Sequence, residues 1–327
     1  MALKVKKIRS KLDEIAENRK FHLNNEHRER MDDMTNYEEI GQSHSSLPGV
    51  VIGRKRDKKA IMKFLLSSNC EENVSVVSIV GIGGLGKTTL AQLVFNDETV
   101  ESQFDLKIWV CISYNFDVKA ILEKILESIT REKPARNCEM NTLKNLLHEK
   151  INGKRYLLVL DDVWHVLDDV WHYEEWFLLK DLLDVSASGS KIIVTTRLKI
   201  VAERIISDSI YELQGLSKQD SWSLFVQMAF RQGRVGSQEH ELVGKEIVAK
   251  FVGVPLAIRA IGRLLYFKNT ISEWLSFKDK ELVNINKEDA SILPTLMLSY
   301  NHLPSHFICP TFFKTFALLT VVVSKRH

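Results

Sequence analysis

The middle of the chain alternates continuous apolar runs with amphipathic ones, and that alternation predicts its architecture. VSVVSIV (74–80) is followed by a helical pattern opening at Lys87, and LKIWVCI (106–112) by VKAILEKILESI (118–129). RYLLVL (155–160) precedes a helix around WFLLKDLL (176–183), and KIIVTT (191–196) closes the series. Strands that are apolar throughout are buried on both faces, and strands separated by helices run parallel, so the pattern predicts an α/β domain with a parallel sheet covered by helices. After about Gln214 the strands stop. SKQDSWSLFVQMAF, ELVGKEIVAKFV and PLAIRAIGRLLYF all carry helical spacing, which predicts a helical domain behind the α/β one.

The flanks are weaker. Val5, Ile8, Leu12 and Ile15 form a helical seam among charged residues. It is so short that it either packs on a partner or frays. From about Asn24 to Ser46 no period is sustained, so this stretch reads as a linker, with a new domain starting after Pro48. Near the far end FALLTVVVS (316–324) is apolar but much shorter than the roughly 20 residues that cross a bilayer, and is expected to be a buried strand or helix.

Composition removes several classes of function. The 327 residues allow two or three domains, and 45% hydrophobic content supports packed cores. With 45 basic and 42 acidic residues the net charge of +3 gives no field that would draw a polyanion, so nucleic acid is not an expected partner. No basic track with stacking aromatics suggests a helicase either. Cys70, Cys111, Cys138 and Cys309 lie far apart without a C-x-x-C pair, which argues against a zinc site or a disulfide framework. The charged N-terminus lacks the apolar core of a secretory signal. A cytoplasmic protein without stable membrane insertion is the expectation.

The candidate chemistry sits at strand ends. GIGGLGKTT (81–89) fits G-x-x-x-x-G-K-[ST] and lies between a predicted strand and a predicted helix, where a phosphate-binding loop must be. Its glycines Gly81, Gly83, Gly84 and Gly86 let backbone N–H groups turn inward on phosphate, at the positive end of the following helix. Lys87 can reach the β and γ phosphates, and Thr88 offers a hydroxyl to Mg²⁺. Such a loop needs a carboxylate at the end of a neighbouring strand to hold Mg²⁺ or its waters, and RYLLVLDD supplies one. KIIVTTR ends in Arg197, placed at the carboxyl edge of the same sheet to sense a terminal phosphate.

The acidic element is written twice: VLDDVWH occupies residues 159–165 and again 166–172. The first Asp pair follows four continuous apolar residues, Leu157 to Leu160, as a doubly buried strand requires; the second has only Val166 and Leu167 directly ahead. Using the second pair would also bury Asp161 and Asp162 in the sheet, at roughly several kcal/mol each, and would turn each face of the strand over. The first copy is therefore the better candidate for the metal-side acid. The second reads as an insert, helical or looped, that lengthens the connection to the next helix at little entropic cost.

These motifs in this order resemble the NB-ARC module of plant disease-resistance proteins of the coiled-coil class. VVIGRKRDKK, GIGGLGKTTLAQLVF, FDLKIWVCIS, YLLVLDDVW, GSKIIVTTR, YELQGLSKQDSWSLFVQMAF, GVPLAIRAIGRLL and LMLSYNHLPSH follow as in that family, over roughly residues 50–306. KIRSKLDEIAENRKFHL (7–23) resembles the last helix of its coiled-coil domain. The resemblance implies a P-loop nucleotide-binding domain at 50–213, a helical ARC1-like subdomain at 214–283 and an incomplete winged-helix, ARC2-like start at 284–327. It also implies a remnant of the coiled-coil domain at 1–23 and a linker at 24–49. The function implied is a switch that holds ADP at rest and ATP when signalling. Val51, Ile52 and Arg54 would line the adenine and ribose, and Gly81, Gly83, Gly84, Leu85, Gly86, Lys87, Thr88 and Thr89 would hold the phosphates. Thr88 and Asp161 would serve Mg²⁺, Asp162 is the candidate base for water, Arg197 the phosphate sensor, and Pro255 with Leu256 would close over the nucleotide. Partners implied are the nucleotide and, through the N-terminal helix, other immune receptors or host proteins.

Two departures stand out. Val254 occupies a position where the family usually has Leu, and after His306 the family pattern stops. The Met-His-Asp motif, the leucine-rich repeats and most of the coiled-coil domain are not found in the sequence, so it reads as a truncated form. An ATPase or kinase with real turnover, and a non-signalling remnant or decoy, remain as alternative readings.

Overall fold

The computed structural model describes residues 51–67, 73–112, 116–135, 138–163 and 171–282. The predicted N-terminal seam, the linker, the segment from 284 onward and residues 164–170 of the repeat, Asp168 included, lie outside them. Strands β1 (Val74–Val80), β2 (Leu106–Cys111), β3 (Tyr156–Val163), β4 (Ser190–Thr196) and β5 (Ser209–Glu212) form one sheet in the order β2-β3-β4-β1-β5, with every pairing parallel. Helix α1 (Lys55–Leu65) precedes β1, and between the strands run α2 (Lys87–Phe95), α3 (Glu98–Glu101), α4 (Val118–Thr130), α5 (Met140–Ile151), α6 (Trp171–Leu183) and α7 (Lys199–Arg204). The predicted α/β class is the one observed.

Why the apolar runs lack alternation is visible in the two cores. On one face Ile108, Leu158, Leu160, Ile192 and Val194 pack against α4, α5 and α6. On the other, Val77, Ile79, Leu157, Val159 and Ile193 meet α1 and α2. Every residue of β1 and β4 is buried, whereas β2 at the edge alternates between buried and half-buried positions. β5, the other edge, is at most half-buried, which explains why its four residues give no strand signal in the sequence. The connection leaving β1 runs across the sheet to β2, while that leaving its neighbour β4 runs the other way to β5. The carboxyl end of β1 is thus a topological switch point, where an open crevice forms.

β5 leads directly into helices α8 (Lys218–Ala229), α9 (Gln238–Ala249), α10 (Pro255–Tyr266) and α11 (Ile271–Ser276). Ser217 and Ser237 cap α8 and α9, and Thr270 with Glu273 forms a capping box on α11. Their shared core is aromatic, with Phe225 edge-on to Trp274 at 5.9 Å between ring centroids. α10 lies against α8 at Gly262, where an added Cβ would stand 2.5 Å from Met228 Cβ. Gly262→Ala is accordingly expected to destabilise this helical region by about 1–3 kcal/mol through overpacking. Denaturant unfolding followed by Trp fluorescence checks it, and an unchanged midpoint would contradict the close approach.

Candidate functional site

The carboxyl ends of β1, β3 and β4 gather the predicted chemistry into one place. The loop after β1 enters α2 through Gly86, whose φ of 90° lies in the left-handed region that favours glycine. This turn delivers Lys87 into the crevice. Its side chain is buried, and Nζ donates to the carbonyls of Gly81 at 2.7 Å and Ile82 at 3.2 Å. Burial lowers the Lys87 pKa to about 8, the Arg197 charge adds to the effect, and Asp162 and Asp161 oppose it.

Thr88, one residue on, donates from Oγ1 to Asp161 Oδ1 at 3.0 Å. Asp161 stands at the end of β3 and is 2% exposed; the same oxygen accepts from Thr195 Oγ1 at 2.6 Å. The strand thus carries the first copy of the repeated phrase. α6 begins at Trp171, so Trp171 and His172, the last two residues of the second copy, are already helical.

Regular strand geometry would send Asp161 and Asp162 to opposite faces. Instead the pairing of β3 with β4 shifts between Leu160 and Val163, and Asp162 takes φ 61°. Aspartate is among the residues that tolerate this conformation, and bulges of this kind re-aim a side chain. The Asp162 N–H donates to Thr195 Oγ1 at 2.8 Å, and its carboxylate lies 3.8 Å from Arg197 Nε. Thr195 therefore holds the Asp161 carboxylate and the bulge together. Nothing in the sequence singles it out, since it reads as one more residue of a buried strand.

These groups border a cavity of about 400 Å³. Gly83, Gly84, Leu85, Gly86, Lys87, Thr88 and Thr89 line its loop side, with Asp162 and Arg197 beside them; Gly81 and Asp161 lie behind the lining. Val51, Ile52 and Arg54 line another wall, and the helical region closes the space with Pro255 and Leu256. Leu216, Leu224 and Arg259 also line it without having been read as site residues. Arg259 had a usable signal: it falls three and four residues after Leu256 and Pro255, on the same helix face.

The closure is a direct contact. Pro255 opens α10 and has no N–H to leave unsatisfied, and the next amide, of Leu256, donates to the Gly84 carbonyl of the phosphate-type loop at 3.2 Å. Behind it the Leu216 N–H donates to the Gly253 carbonyl at 2.8 Å, and a Cβ at Gly253, φ 73°, would collide with Leu216 O at 2.4 Å. Val254, between Gly253 and Pro255, packs against both the sheet's core and the helical core.

Thr195→Val should leave the shape of β4 intact while removing a donor to a buried carboxylate and an acceptor for the Asp162 amide. A loss of about 1–3 kcal/mol in unfolding free energy is expected, with recovery in Thr195→Ser. Equal stability of the valine and serine variants would show that this hydroxyl does not hold the site.

Comparison with known proteins identifies the pattern. The sequence profile of the NB-ARC domain matches residues 54–166 and 165–234, its two stretches meeting within the repeat. The chain is 40% identical over 299 residues to "Disease resistance protein RGA2" of Solanum bulbocastanum, covering 91% of this chain and 30% of that protein. It is 37% identical over 265 residues to "Disease resistance RPP13-like protein 4" of Arabidopsis thaliana, covering 78% of this chain and 30% of that one. The chain thus spans about 30% of the length of these relatives. Among solved structures, the Aeropyrum pernix ORC1 protein, solved in complex with DNA, superposes with a TM-score of 0.50 at 14% identity over 72% of this chain and 66% of its own, a likeness of fold alone.

Proposed function

The chain belongs to the NB-ARC domain family, and on that premise we propose that it is the nucleotide-operated part of a plant disease-resistance switch, resting with ADP and signalling with ATP. The observation that carries this reading is the cavity lined by a buried Lys87, by Thr88 with Asp161 bonded behind it, and by Arg197, beneath a helix that bonds directly to the loop. The cavity is two-sided, as a nucleotide requires. Val51, Ile52, Leu216 and Leu224 offer an apolar wall for the base, and the loop 81–89 with Lys87 and Arg197 offers donors and positive charge for phosphates.

The residues fit Mg²⁺ as a companion of the phosphates. Thr88 Oγ1 and Asp161 Oδ1 are hard oxygens 3.0 Å apart, and among the described residues no group of three or more His, Cys, Asp or Glu could hold a metal by itself. Such a pair suits an ion that keeps its waters and takes phosphate oxygens as further ligands. When bound, the ion would neutralise phosphate charge. Thr88 and Asp161 would orient it, and Lys87 would turn its ammonium from the Gly81 and Ile82 carbonyls to the phosphate.

Asp162 is the only carboxylate among the residues that line the cavity. Its neighbour at 3.8 Å is Arg197, so in this arrangement its charge is paired with a cation. That favours slow phosphoryl chemistry and hence a switch over an enzyme with turnover. No helix among the described residues is long and apolar enough to cross a membrane, in keeping with work in the cytoplasm. Receptors or host proteins are the proposed protein partners.

The direct test is the nucleotide released when the purified protein is denatured: ADP is expected, and a preparation that neither carries nor takes up adenine nucleotide would refute the reading. Lys87→Ala should remove most of the affinity with little effect on folding. The wild-type lysine should also report itself through protons. Phosphate favours the charged ammonium, so its pKa rises on binding from the free value of about 8. Above that pH binding takes up a proton and weakens as pH increases. Calorimetry at about pH 9 in buffers of different ionisation heat measures the uptake; identical heats would exclude it.

The repeat gives a separate test. Asp161→Ala should weaken Mg²⁺-dependent ATP binding by about 10 to 100-fold, by analogy with the loss of outer-shell metal partners, while Asp168→Ala changes little. A larger loss in Asp168→Ala would assign the metal-side role to the second copy.

A further inference from the structure

Arg54 lines the cavity, yet its guanidinium is turned onto the protein itself. Its side chain is 4% exposed. Nη2 donates to the Leu85 carbonyl at 2.7 Å, and Nη1 donates to the Gln214 carbonyl at 2.7 Å and to Asp57 Oδ2 at 3.1 Å. Asp57 is held in turn by the Tyr211 hydroxyl, which donates to Oδ1 at 2.6 Å. The backbone at Arg54 has φ 67°, a conformation that a residue other than glycine keeps only where its surroundings impose it.

The two carbonyls belong to different parts of the molecule. Leu85 is in the loop proposed to hold phosphate, whereas Gln214 begins the passage from β5 into the helical region. Followed onward, the bonds close a circuit. From Gln214 the chain reaches Leu216, which donates to Gly253; three residues later Leu256 donates to Gly84, the neighbour of Leu85. Every non-covalent link in this circuit is main chain to main chain except those made by Arg54. A planar fork holds two separated carbonyls from two nitrogens in fixed, diverging directions, whereas a lysine ammonium offers a single, freely rotating point of donors.

We infer that Arg54 is a positioning residue that couples the phosphate loop to the passage into the helical region, acting through its two carbonyls rather than by touching nucleotide. The inference rests on the nucleotide-switch reading and adds its route: a shift of the loop on binding moves Leu85, and the guanidinium passes that shift to Gln214.

The test is amide hydrogen exchange on the full chain, with and without saturating ADP. In the unmodified protein ADP should slow exchange both at the loop 81–89 and at 214–217. In Arg54→Lys, ADP binding should weaken about tenfold; at saturation the loop is still protected while protection at 214–217 is lost. Wild-type protection of 214–217 in Arg54→Lys would overturn the inference. Should that variant not fold, Asp57→Ala removes the carboxylate that fixes the guanidinium, and ADP-dependent protection at 214–217 should fall by about half or more; unchanged protection there overturns it equally. If ADP protects the loop but not 214–217 in the unmodified chain, the coupling is wrong and the nucleotide reading stands. If ADP protects neither, both fail.

Discussion

The Asp161 carboxylate is the constraint around which the site is arranged. A charge that is 2% exposed at the end of a strand persists only if donors surround it, and it takes them from two directions: Thr195 in the adjoining strand and Thr88 in the helix after β1. Those bonds fix the distance between α2 and the carboxyl ends of β3 and β4. They also fix the irregularity beside it, because the hydroxyl that donates to Asp161 accepts the amide of Asp162 in its left-handed turn. One buried charge thus sets where two acidic groups, the loop and its lysine stand.

Around that point opposing charges only partly cancel, and the balance falls against the Lys87 charge. Lys87 and Arg197 repel each other, and the two aspartates offset part of that repulsion and of the lysine's lost hydration. A site with two cations gains most from an anion that arrives with negative charge of its own. Asp162 stands opposite Arg197, its carboxylate 3.8 Å from Nε.

The helical region joins this arrangement largely through its backbone. Gly215 and Gly253 let two loops cross at distances that no Cβ would permit, and the first free amide of α10 bonds to the loop. The region is therefore seated on the sheet's carboxyl edge by contacts with little freedom to slide. A rigid seat of this kind transmits a displacement instead of absorbing it.

The sequence by itself determined the sheet, the loop with its lysine, the acidic strand end and the helical region that follows. Each of these is written in local chemistry: unbroken apolar runs, glycines at fixed spacing, carboxylates directly after a buried strand. It also favoured the first copy of the repeated phrase, since burying a second pair of charges would cost too much. Short edge strand β5 and helices α1 and α5 escaped because their apolar pattern is brief or diluted by charge. What tertiary structure alone decided is which distant groups meet. That Thr195 holds Asp161, that a bulge turns Asp162 toward Arg197, that Leu216, Leu224 and Arg259 complete the cavity, and that Arg54 grips a carbonyl 160 residues away depend on how separate elements pack. Periodicity records which face of an element is buried, but it carries no record of the partner lying against that face.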